Sequence, residues 1–431
     1  MPRVATIRVA VLYLPLAAAM LAGLLRRRRQ RMFAACLLSL LWTLPALLIL
    51  ERINLILNWW SFQPSEPALL GVPLELFLGW AVLWGVFPQL AFRELDLPEV
   101  IVLMGTADLW LMPLCTPLIN PRGNWLLGEG AALALVLAPA FCLARWTAND
   151  THLDLRATMQ VLLSGLLFLF FLPEVVFALR PAASAGSVWQ PLLETGSFFR
   201  QAAIQIILLL AVPGVSAVQE FSQRGRGTPI PYDPPQRIVT SGIYRYCSNP
   251  MQFSCAVVMF LWALLLRNPW FVLAAVVSAV YSAGIAHWDE GRDLAARFGE
   301  RWQHYQAEVP EWRLRWRPYD AGPPARLYIA RTCRPCNEIR EWIENRHPIG
   351  LELIEAETLP EGSIRRLRYD PCDGTAPVEG IVAFARALEH LNLAWAYCGI
   401  TLRLPVVHQA FQLLMDASGL GPRTVPSACP R

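Results

Sequence analysis

The sequence predicts a polytopic all-α membrane protein with about nine transmembrane helices, followed by a C-terminal α/β domain. Of its 431 residues, 55% are hydrophobic and the mean hydropathy is +0.38, which is too apolar for a soluble globular chain. Apolar runs of about 20 residues, the length that crosses a bilayer as a helix, recur up to residue 287. After residue 326 the pattern changes to short apolar strands and amphipathic helices, which indicates a separate α/β domain.

The predicted spans follow one another with short polar connections. The first apolar run is read as an uncleaved span, because the arginine cluster follows it, whereas a signal peptide carries its positive charge in front. The nine spans are expected at 6–25, 33–50, 67–91, 99–119, 126–146, 158–179, 199–220, 251–267 and 270–287.

Arginines between the spans set the expected orientation. All 37 basic residues are arginine, which together with heavy use of alanine and leucine is typical of a GC-rich bacterial genome. Arg26 to Arg29 and Arg31 follow the first span and should stay in the cytoplasm. We therefore expect a bacterial inner-membrane protein with its N-terminus outside and its C-terminal domain cytoplasmic. The net charge of +4 is small, so nothing favours a nucleic-acid partner.

Changes in composition and hydropathy pattern divide the chain into three regions. Residues 1–195 form an N-terminal transmembrane region of about six helices, and residues 196–318 a second membrane region with a long polar loop. Residues 319–325, rich in proline, glycine and alanine, are a linker to the domain at 326–431. That domain has about 100 residues, enough to bury its own core. Its pattern predicts strands at RLYIA, LELIEA and RRLRYDP, and helices from NEIREW, from Val378 and from about Val406.

Acidic residues occur inside the predicted spans of the N-terminal region. They are Glu75, Asp108 and Glu174, with Glu129 nearer the end of a span. Ionised groups are costly in lipid and commonly face a protein interior or a cavity. Two roles remain open, namely interhelical hydrogen bonds that fix packing and recognition of a substrate.

The polar loop at 227–252 lies between two predicted spans. Its prolines forbid a helix and hold an extended path, and Gly242 permits a sharp turn. Pro250 opens the next span, so unpaired backbone N–H groups of that helix face the loop and could bind a carboxylate. Tyr244, Arg245 and Tyr246 could stack on an aromatic ring, contact a sulfonium or bind a carboxylate.

A second motif follows the ninth span. The segment HWDEGRDLAARFGERWQHYQAEVPEW predicts an amphipathic cytoplasmic helix. Apolar side chains repeat along it at helical spacing: Leu294, Phe298, Trp302 and Tyr305.

Together, the loop and this helix resemble the isoprenylcysteine carboxyl methyltransferase and phospholipid methyltransferase superfamily over residues 199–316. The resemblance implies a membrane enzyme that binds S-adenosylmethionine and methylates a lipid-soluble or thiol-type acceptor entering from the bilayer. It implies Glu290 as the catalytic residue if the acceptor must be deprotonated. The cofactor-binding residues that it implies are Gly242, Tyr244, Arg245, Tyr246, Asn249, Pro250 and Glu290.

Three positions depart from the family pattern. Ser248 stands where the family usually has arginine, and Gln252 where it usually has tyrosine. The acidic pair is irregular, because Glu290 is followed by Gly291 and Asp289 is displaced by one position. Cofactor affinity or acceptor identity could therefore differ. The structural alternative is a plain connector followed by an interfacial helix.

Cys333 and Cys336 form a Cys-x-x-Cys pair between a predicted strand and a predicted helix. Arg334 and the helix N-terminus both lower a thiol pKa, which is typical of a thioredoxin-like redox motif. The tail resembles the DCC family of predicted thiol-disulfide oxidoreductases, although Ala330-Arg331-Thr332 replaces the family's Asp-Gly. The resemblance implies Cys333 as nucleophile and Cys336 as resolving thiol. A cis proline normally faces the cysteines in such folds, and Pro360 and Pro377 are the candidates.

Other readings of the cysteine pair stay open. A zinc site would need two more ligands, and Cys372, Cys398 and His347 lack the paired spacing, so we expect no metal. The pair could also be inert, or the domain could be an interaction module. For the whole chain, the main hypothesis is a methyltransferase with a cytoplasmic redox domain that has a possible thiol partner. The alternatives are a membrane-anchored thiol-disulfide oxidoreductase and a non-catalytic scaffold.

Overall fold

The computed structural model describes most of the chain in two compact units. The first comprises Met1–Leu193 with Pro229–Pro234, and the second Glu194–Thr228 with Pro235–Arg431. The predicted second membrane region and the predicted α/β domain therefore lie in one unit. The residues described are 2–25, 30–116, 118–178, 187–229, 233–281, 283–284, 287–320, 322–360 and 364–422.

The first unit consists mainly of six apolar helices, each long enough to cross a membrane. Helix α4 begins at a capping box, in which Asp96 and Glu99 each bond the other's backbone N–H. Helix α5 ends where Asp150 turns into the left-handed region at φ 55°. The predicted arginine cluster at 26–29 lies outside the described residues. The helices are α1 Pro2–Leu24, α2 Gln30–Leu57, α3 Leu74–Ala91, α4 Leu97–Leu114, α5 Trp125–Asn149 and α6 Leu153–Ala178.

Four short strands connect these helices. Strand β1 (Trp60–Phe62) pairs antiparallel with β4 (Ile119–Pro121). Strand β2 (Ala68–Leu69) pairs with β3 (Val72–Pro73). These pairs satisfy backbone groups between helices, where they would otherwise lack partners. A short helix, α7 (Gln190–Glu194), precedes the second unit.

The acidic residues predicted inside the spans form bonds between helices. Arg8 of α1 donates to Glu75 of α3 at 2.6 Å. Arg52 of α2 pairs with Glu174 of α6, which also accepts a bond from Trp189 at 2.7 Å. These contacts fit the packing role of the two predicted alternatives.

Asp108 of α4 and Glu129 of α5 form a different kind of contact, because two carboxyl groups from neighbouring helices interact with each other. Both side chains are buried. This pair too joins neighbouring helices.

The second unit begins with the seventh long apolar helix. That helix, α8 (Ser197–Gly225), completes the set of seven in the described chain that are long enough to span a membrane, so the protein is a multi-pass membrane protein. The next two apolar helices are α9 (Pro250–Leu265) and α10 (Pro269–Tyr281), with 16 and 13 residues. At 1.5 Å per residue they are about 24 and 20 Å long, short of the ~30 Å hydrocarbon core. Whether they cross stays a prediction. Two polar helices follow, α11 (His287–Phe298) and α12 (Glu300–Glu308).

A four-stranded mixed sheet forms the centre of the C-terminal part, in the order β6-β5-β7-β8. Strands β5 and β6 are parallel, while β7 is antiparallel to both of its neighbours. The predicted helix at Val378 is wrong in its start, because that residue pairs in β8 and the helix begins at Ile381. The strands are β5 Ala325–Ile329, β6 Leu351–Glu355, β7 Arg368–Asp370 and β8 Val378–Glu379.

Four helices pack with this sheet. Helix α13 (Arg334–Glu344) connects the parallel strands β5 and β6, and α14 (Ile381–Leu388) follows β8. The chain then forms α15 (Leu393–Leu402) and α16 (Pro405–Met415). The core between the layers includes Leu327, Ile343, Tyr369, Ala383 and Leu388, all buried.

Candidate functional site

The sharp turn predicted at Gly242 is present in the loop between α8 and α9. Gly242 has φ 59° and opens a short 3-10 turn, Gly242–Arg245. A Cβ atom at this position would lie 2.9 Å from Cγ and Cδ of Glu220. Both the positive φ and the close approach therefore require glycine.

The aromatic residues of the turn are buried against the α/β part of the same unit. Tyr244 is 6% exposed and Tyr246 is 0% exposed. The Tyr246 hydroxyl donates to the carbonyl of Glu389 at 3.0 Å. Arg245 Nη1 donates to the carbonyl of Ile349 at 3.4 Å. The residues predicted to hold a cofactor thus have packing partners of their own, and their cofactor role stays a prediction.

A buried carboxylate, Glu220, organises the space behind the turn. Its Oε1 atom pairs with Arg386 and lies 2.6 Å from Arg403 Nη1. Its Oε2 atom lies 3.3 Å from Arg224 Nε and accepts a bond from the Ser241 hydroxyl at 2.7 Å. Three guanidinium groups compensate the cost of burying this charge. Because Arg386 and Arg403 belong to α14 and the end of α15, the cluster joins α8 to the α/β part.

Sequence reasoning missed the Glu220 cluster. The available signal was the position of each member, since Glu220 ends an apolar span and Arg386 and Arg403 lie in apolar stretches. Such charges are rarely buried without partners. Nothing in the sequence connects the partners, because Glu220 and Arg386 are 166 residues apart.

The two motifs that carry the predicted resemblance are in direct contact. The Ser248 N–H donates to the carbonyl of Pro310 at 3.0 Å. The Tyr305 hydroxyl donates to the carbonyl of Tyr244 at 2.7 Å. Two further bonds join the same segments, from Arg315 N–H to the Tyr246 carbonyl at 3.1 Å and from Cys247 Sγ to the Glu311 carbonyl at 3.0 Å.

Several polar groups near this contact have no hydrogen-bond partner among the described residues. They are the Ser248 hydroxyl and the indole N–H groups of Trp302 and Trp312, all buried. Asn249, whose amide donates to Gln252 at 2.7 Å, precedes α9 without capping it, and Pro250 is the first residue of that helix, as predicted. Buried groups of this kind need a partner. Hydroxyl, ring nitrogen and carboxylate groups of S-adenosylmethionine are suitable partners, so these residues fit that cofactor.

Burial keeps one thiol and two hydroxyl groups near the turn neutral. It raises the pKa of the Cys247 thiol to about 11 and raises the pKa of the Tyr246 and Tyr305 hydroxyls above its usual value. These groups therefore contribute packing and hydrogen bonds at neutral pH. Glu290, the predicted base, lies in α11, but its side chain is outside the described part of the structure.

The cysteine pair lies at the start of α13, as predicted. Cys333 is the residue before the helix, and the Cys336 thiol donates to Cys333 Sγ at 2.9 Å. The peptide bonds before Pro360 and Pro377 are trans. Within the described ranges, no group of three or more His, Cys, Asp or Glu side chains could hold a metal ion.

Glu357 fixes the loop in front of this pair. Its Oε1 atom accepts bonds from the backbone N–H groups of Arg331 and Thr332 at 2.8 and 2.9 Å, and from the Thr332 hydroxyl at 2.8 Å. Burial acts to raise the pKa of this carboxyl, but the hydrogen bonds outweigh it and lower the pKa. Glu357 is therefore ionised at neutral pH and holds the residue next to Cys333. No residue type or spacing near Glu357 in the sequence indicates this role.

Comparison with known families gives one match. Residues 202–301 match the family model of phospholipid methyltransferases. No curated protein and no solved structure matches this chain. The matched segment contains most of α8, the loop with its turn, and the helices α9 to α11. It supports a membrane methyltransferase with a lipid-like substrate, and it covers neither the six N-terminal helices nor the α/β part.

Proposed function

We propose that this protein is an integral-membrane methyltransferase that uses S-adenosylmethionine and acts on a lipid-like acceptor. The observation that carries the proposal is the family match at 202–301, which coincides with the loop and helices described above. The multi-pass architecture supports an acceptor that reaches the site from the bilayer. The alternative methyl acceptor is a thiol.

The residues proposed to bind the cofactor lie on both sides of the contact between the two motifs. Ser248, Trp302 and Trp312 offer unpaired polar groups, and Asn249 precedes the uncapped α9 N-terminus. The segment from Gly242 to Tyr246 completes the proposed site. S-adenosylmethionine supplies an electrophilic methyl group, and transfer of that group depends on alignment more than on acid or base groups. Glu290 is the proposed base for an acceptor that must lose a proton.

Calorimetric titration of S-adenosylmethionine into the detergent-purified protein tests this proposal. We expect saturable binding that Asn249→Ala and Glu290→Ala each weaken about tenfold, which corresponds to about 1.4 kcal/mol. Glu338→Ala is the matched control, because this exposed residue of α13 lies outside the family match and should leave affinity unchanged. If the folded wild-type protein binds no S-adenosylmethionine, the methyltransferase proposal is wrong.

Transfer of a labelled methyl group identifies the acceptor class. Purified protein is incubated with labelled S-adenosylmethionine and either a membrane lipid extract or a panel of small thiols. Label in the lipid fraction supports the lipid-like acceptor, and label on thiols alone replaces it with the thiol-type acceptor. Cys333→Ser should not change either result.

A second candidate function, thiol-disulfide exchange, is favoured by the cysteine pair. In support, Cys333 lies directly before α13 with its Sγ 2.9 Å from Cys336 Sγ, and Glu357 fixes the preceding loop. The sheet order, with parallel β5 and β6 and an antiparallel β7, supports a thioredoxin-like domain. A redox titration of the protein should show a two-electron couple that Cys333→Ser abolishes. If neither this couple nor methyl transfer is found in folded protein, the non-catalytic scaffold is preferred.

A further inference from the structure

Helix α15 of the α/β part packs directly on α8, one of the seven long apolar helices. Its sequence, LAWAYCGITL, carries no Asp, Glu, Lys, Arg or His. Ala396 and Ile400 are buried in one cluster with Ala217 of α8. A helix that is apolar all round belongs in a protein core or in a membrane.

A specific hydrogen bond fixes α15 to the middle of α8. The Tyr397 hydroxyl donates to the carbonyl of Leu209. That carbonyl would normally accept the N–H of residue 213, but residue 213 is proline and has no N–H. Tyr397 therefore supplies the partner that Pro213 removes. Inside a bilayer, where no water is present, a carbonyl without a partner costs several kcal/mol.

The bond lies deep along α8. Leu209 is 11 residues before Glu220, which corresponds to about 16 Å along the helix axis. The side chains around it face outward, with Ile206, Leu208 and Leu209 exposed by 53, 63 and 52%. Such a surface on a long apolar helix is what a membrane protein presents to lipid. Helix α15 thus reaches a level at which α8 is exposed to hydrocarbon.

Helix α16 extends the same apolar surface. One of its faces is anchored, since Gln412 Oε1 accepts the N–H of Ile381 at 2.9 Å and Arg366 forms two bonds to Asp416 at 2.8 and 2.9 Å. Its remaining surface carries apolar side chains that are exposed among the described residues. Val406, Phe411, Leu413 and Leu414 are exposed by 78, 45, 70 and 60%.

We propose that α15 and α16 form a lipid-binding surface, by which the α/β part is inserted into the same membrane as α8. The partner is the bilayer itself: α15 lies in the hydrocarbon beside α8, and the apolar face of α16 lies at the boundary of acyl chains and head groups. Continuity with the outward-facing side chains of α8 selects lipid over a protein partner, because the Tyr397 bond places α15 beside those side chains and α16 packs against α15. The sequence led us to expect a free cytoplasmic tail. On this proposal the α/β part is instead attached to the membrane through α15 and α16.

Photo-crosslinking in vesicles tests this inference on the full chain. p-Benzoylphenylalanine replaces Val406 or Leu413, and each variant is reconstituted into phosphatidylcholine and phosphatidylglycerol vesicles and irradiated. Leu208 is the matched lipid-facing control on α8, and Glu338, 65% exposed on α13, is the matched water-facing control. These are surface positions, and thermal unfolding of each variant beside the wild type verifies the fold.

The products separate the possible partners. We expect lipid adducts at Val406 and Leu413 with yields close to that at Leu208 and at least tenfold above that at Glu338. Lipid yields equal to that at Glu338 would overturn the proposal, since the face would then lie in water. Protein dimers without lipid adducts would also overturn it, in favour of a second copy. The result is independent of the methyltransferase proposal, because no cofactor is present.

Discussion

The two units differ in what their buried or half-buried acidic side chains connect. In the first unit, Glu75 and Glu174 each pair with one arginine from another helix of the bundle. In the second unit, Glu220 is surrounded by three arginines, two of which come from the α/β part. Buried charge fastens helix to helix in the first case, and a membrane helix to a mixed sheet domain in the second. The change from apolar spans to an α/β pattern in the sequence therefore does not mark the start of a structurally independent domain.

The largest effect is expected from removing the central carboxylate of the second unit. Glu220→Ala leaves Arg386 and Arg403 buried with Glu389 as their one remaining carboxylate partner, and loss of one partner from a buried ion pair costs about 3–5 kcal/mol. Thermal unfolding in detergent should show a large loss of stability, and binding of S-adenosylmethionine should weaken because Glu220 supports the Gly242 turn.

Glu194→Ala is the matched control for that change. Glu194 pairs with Arg267 at 3.7 Å, and both side chains are more than half exposed. Exposed pairs contribute about 0–1 kcal/mol, so the control should unfold almost as the wild type does. Equal losses in the two variants would contradict the role of Glu220 in joining the two parts.

A smaller effect is expected from Tyr397→Phe, which removes the donor to the Leu209 carbonyl. In a bilayer, which holds no water to replace the hydroxyl, an acceptor without a partner costs at least about 1–3 kcal/mol, and thermal unfolding measures the loss. Pro213→Ala provides the control, because alanine restores the N–H that the carbonyl lacks. In that background Tyr397→Phe should cost less than half as much. The same loss in both backgrounds would show that the hydroxyl serves another purpose.

The smallest effect concerns His390, which is buried between the turn and the sheet. Its Nδ1–H donates to the Ile349 carbonyl at 2.8 Å, and its Nε2 accepts from the Tyr369 hydroxyl at 2.9 Å. Burial, with further contributions from the charges of Arg245, Arg224 and Arg386, lowers its pKa well below the usual value.

The sign of the pH effect follows from this shift. Above the unfolded pKa of about 6.5, His390 is neutral in both states and contributes no pH dependence. Below it, the unfolded chain takes up a proton that the folded chain does not, so stability falls by up to about 1.4 kcal/mol per pH unit until the folded pKa is reached. Unfolding of wild type and His390→Gln between pH 7.5 and 5.5 measures the difference. Parallel profiles would contradict the assignment to His390.

Much of the fold could be predicted from the sequence. Apolar run lengths located all seven long helices, and the change of period after residue 326 located β5, α13 and β6. The prediction of a helix start at Val378 is wrong, because a strand of two residues is too short to show an alternating pattern in the sequence. The α9–α10 pair is shorter than its apolar run, since hydropathy does not report where a helix ends.

The site was predicted only in part. The turn at Gly242 could be predicted because a glycine after a proline-rich stretch is typical of a turn. Glu220, Arg403 and Tyr397 could not, since their roles depend on partners distant in sequence and on a carbonyl that Pro213 leaves free. A local sequence pattern indicates the backbone conformation of a segment. Contacts between segments that are distant in sequence are seen only in the structure.

The spacing of the Glu220 cluster also sets an order of events during synthesis. Arg386 is made 166 residues after Glu220, which at 5–20 residues per second is a delay of about 8–33 seconds. Throughout that interval α8 holds a carboxylate whose main counter-charges do not yet exist. The ion pairs behind the Gly242 turn therefore form only after α14 and the end of α15 have left the ribosome. A nascent chain halted before that point would carry every residue of the family match and still lack the support behind the loop.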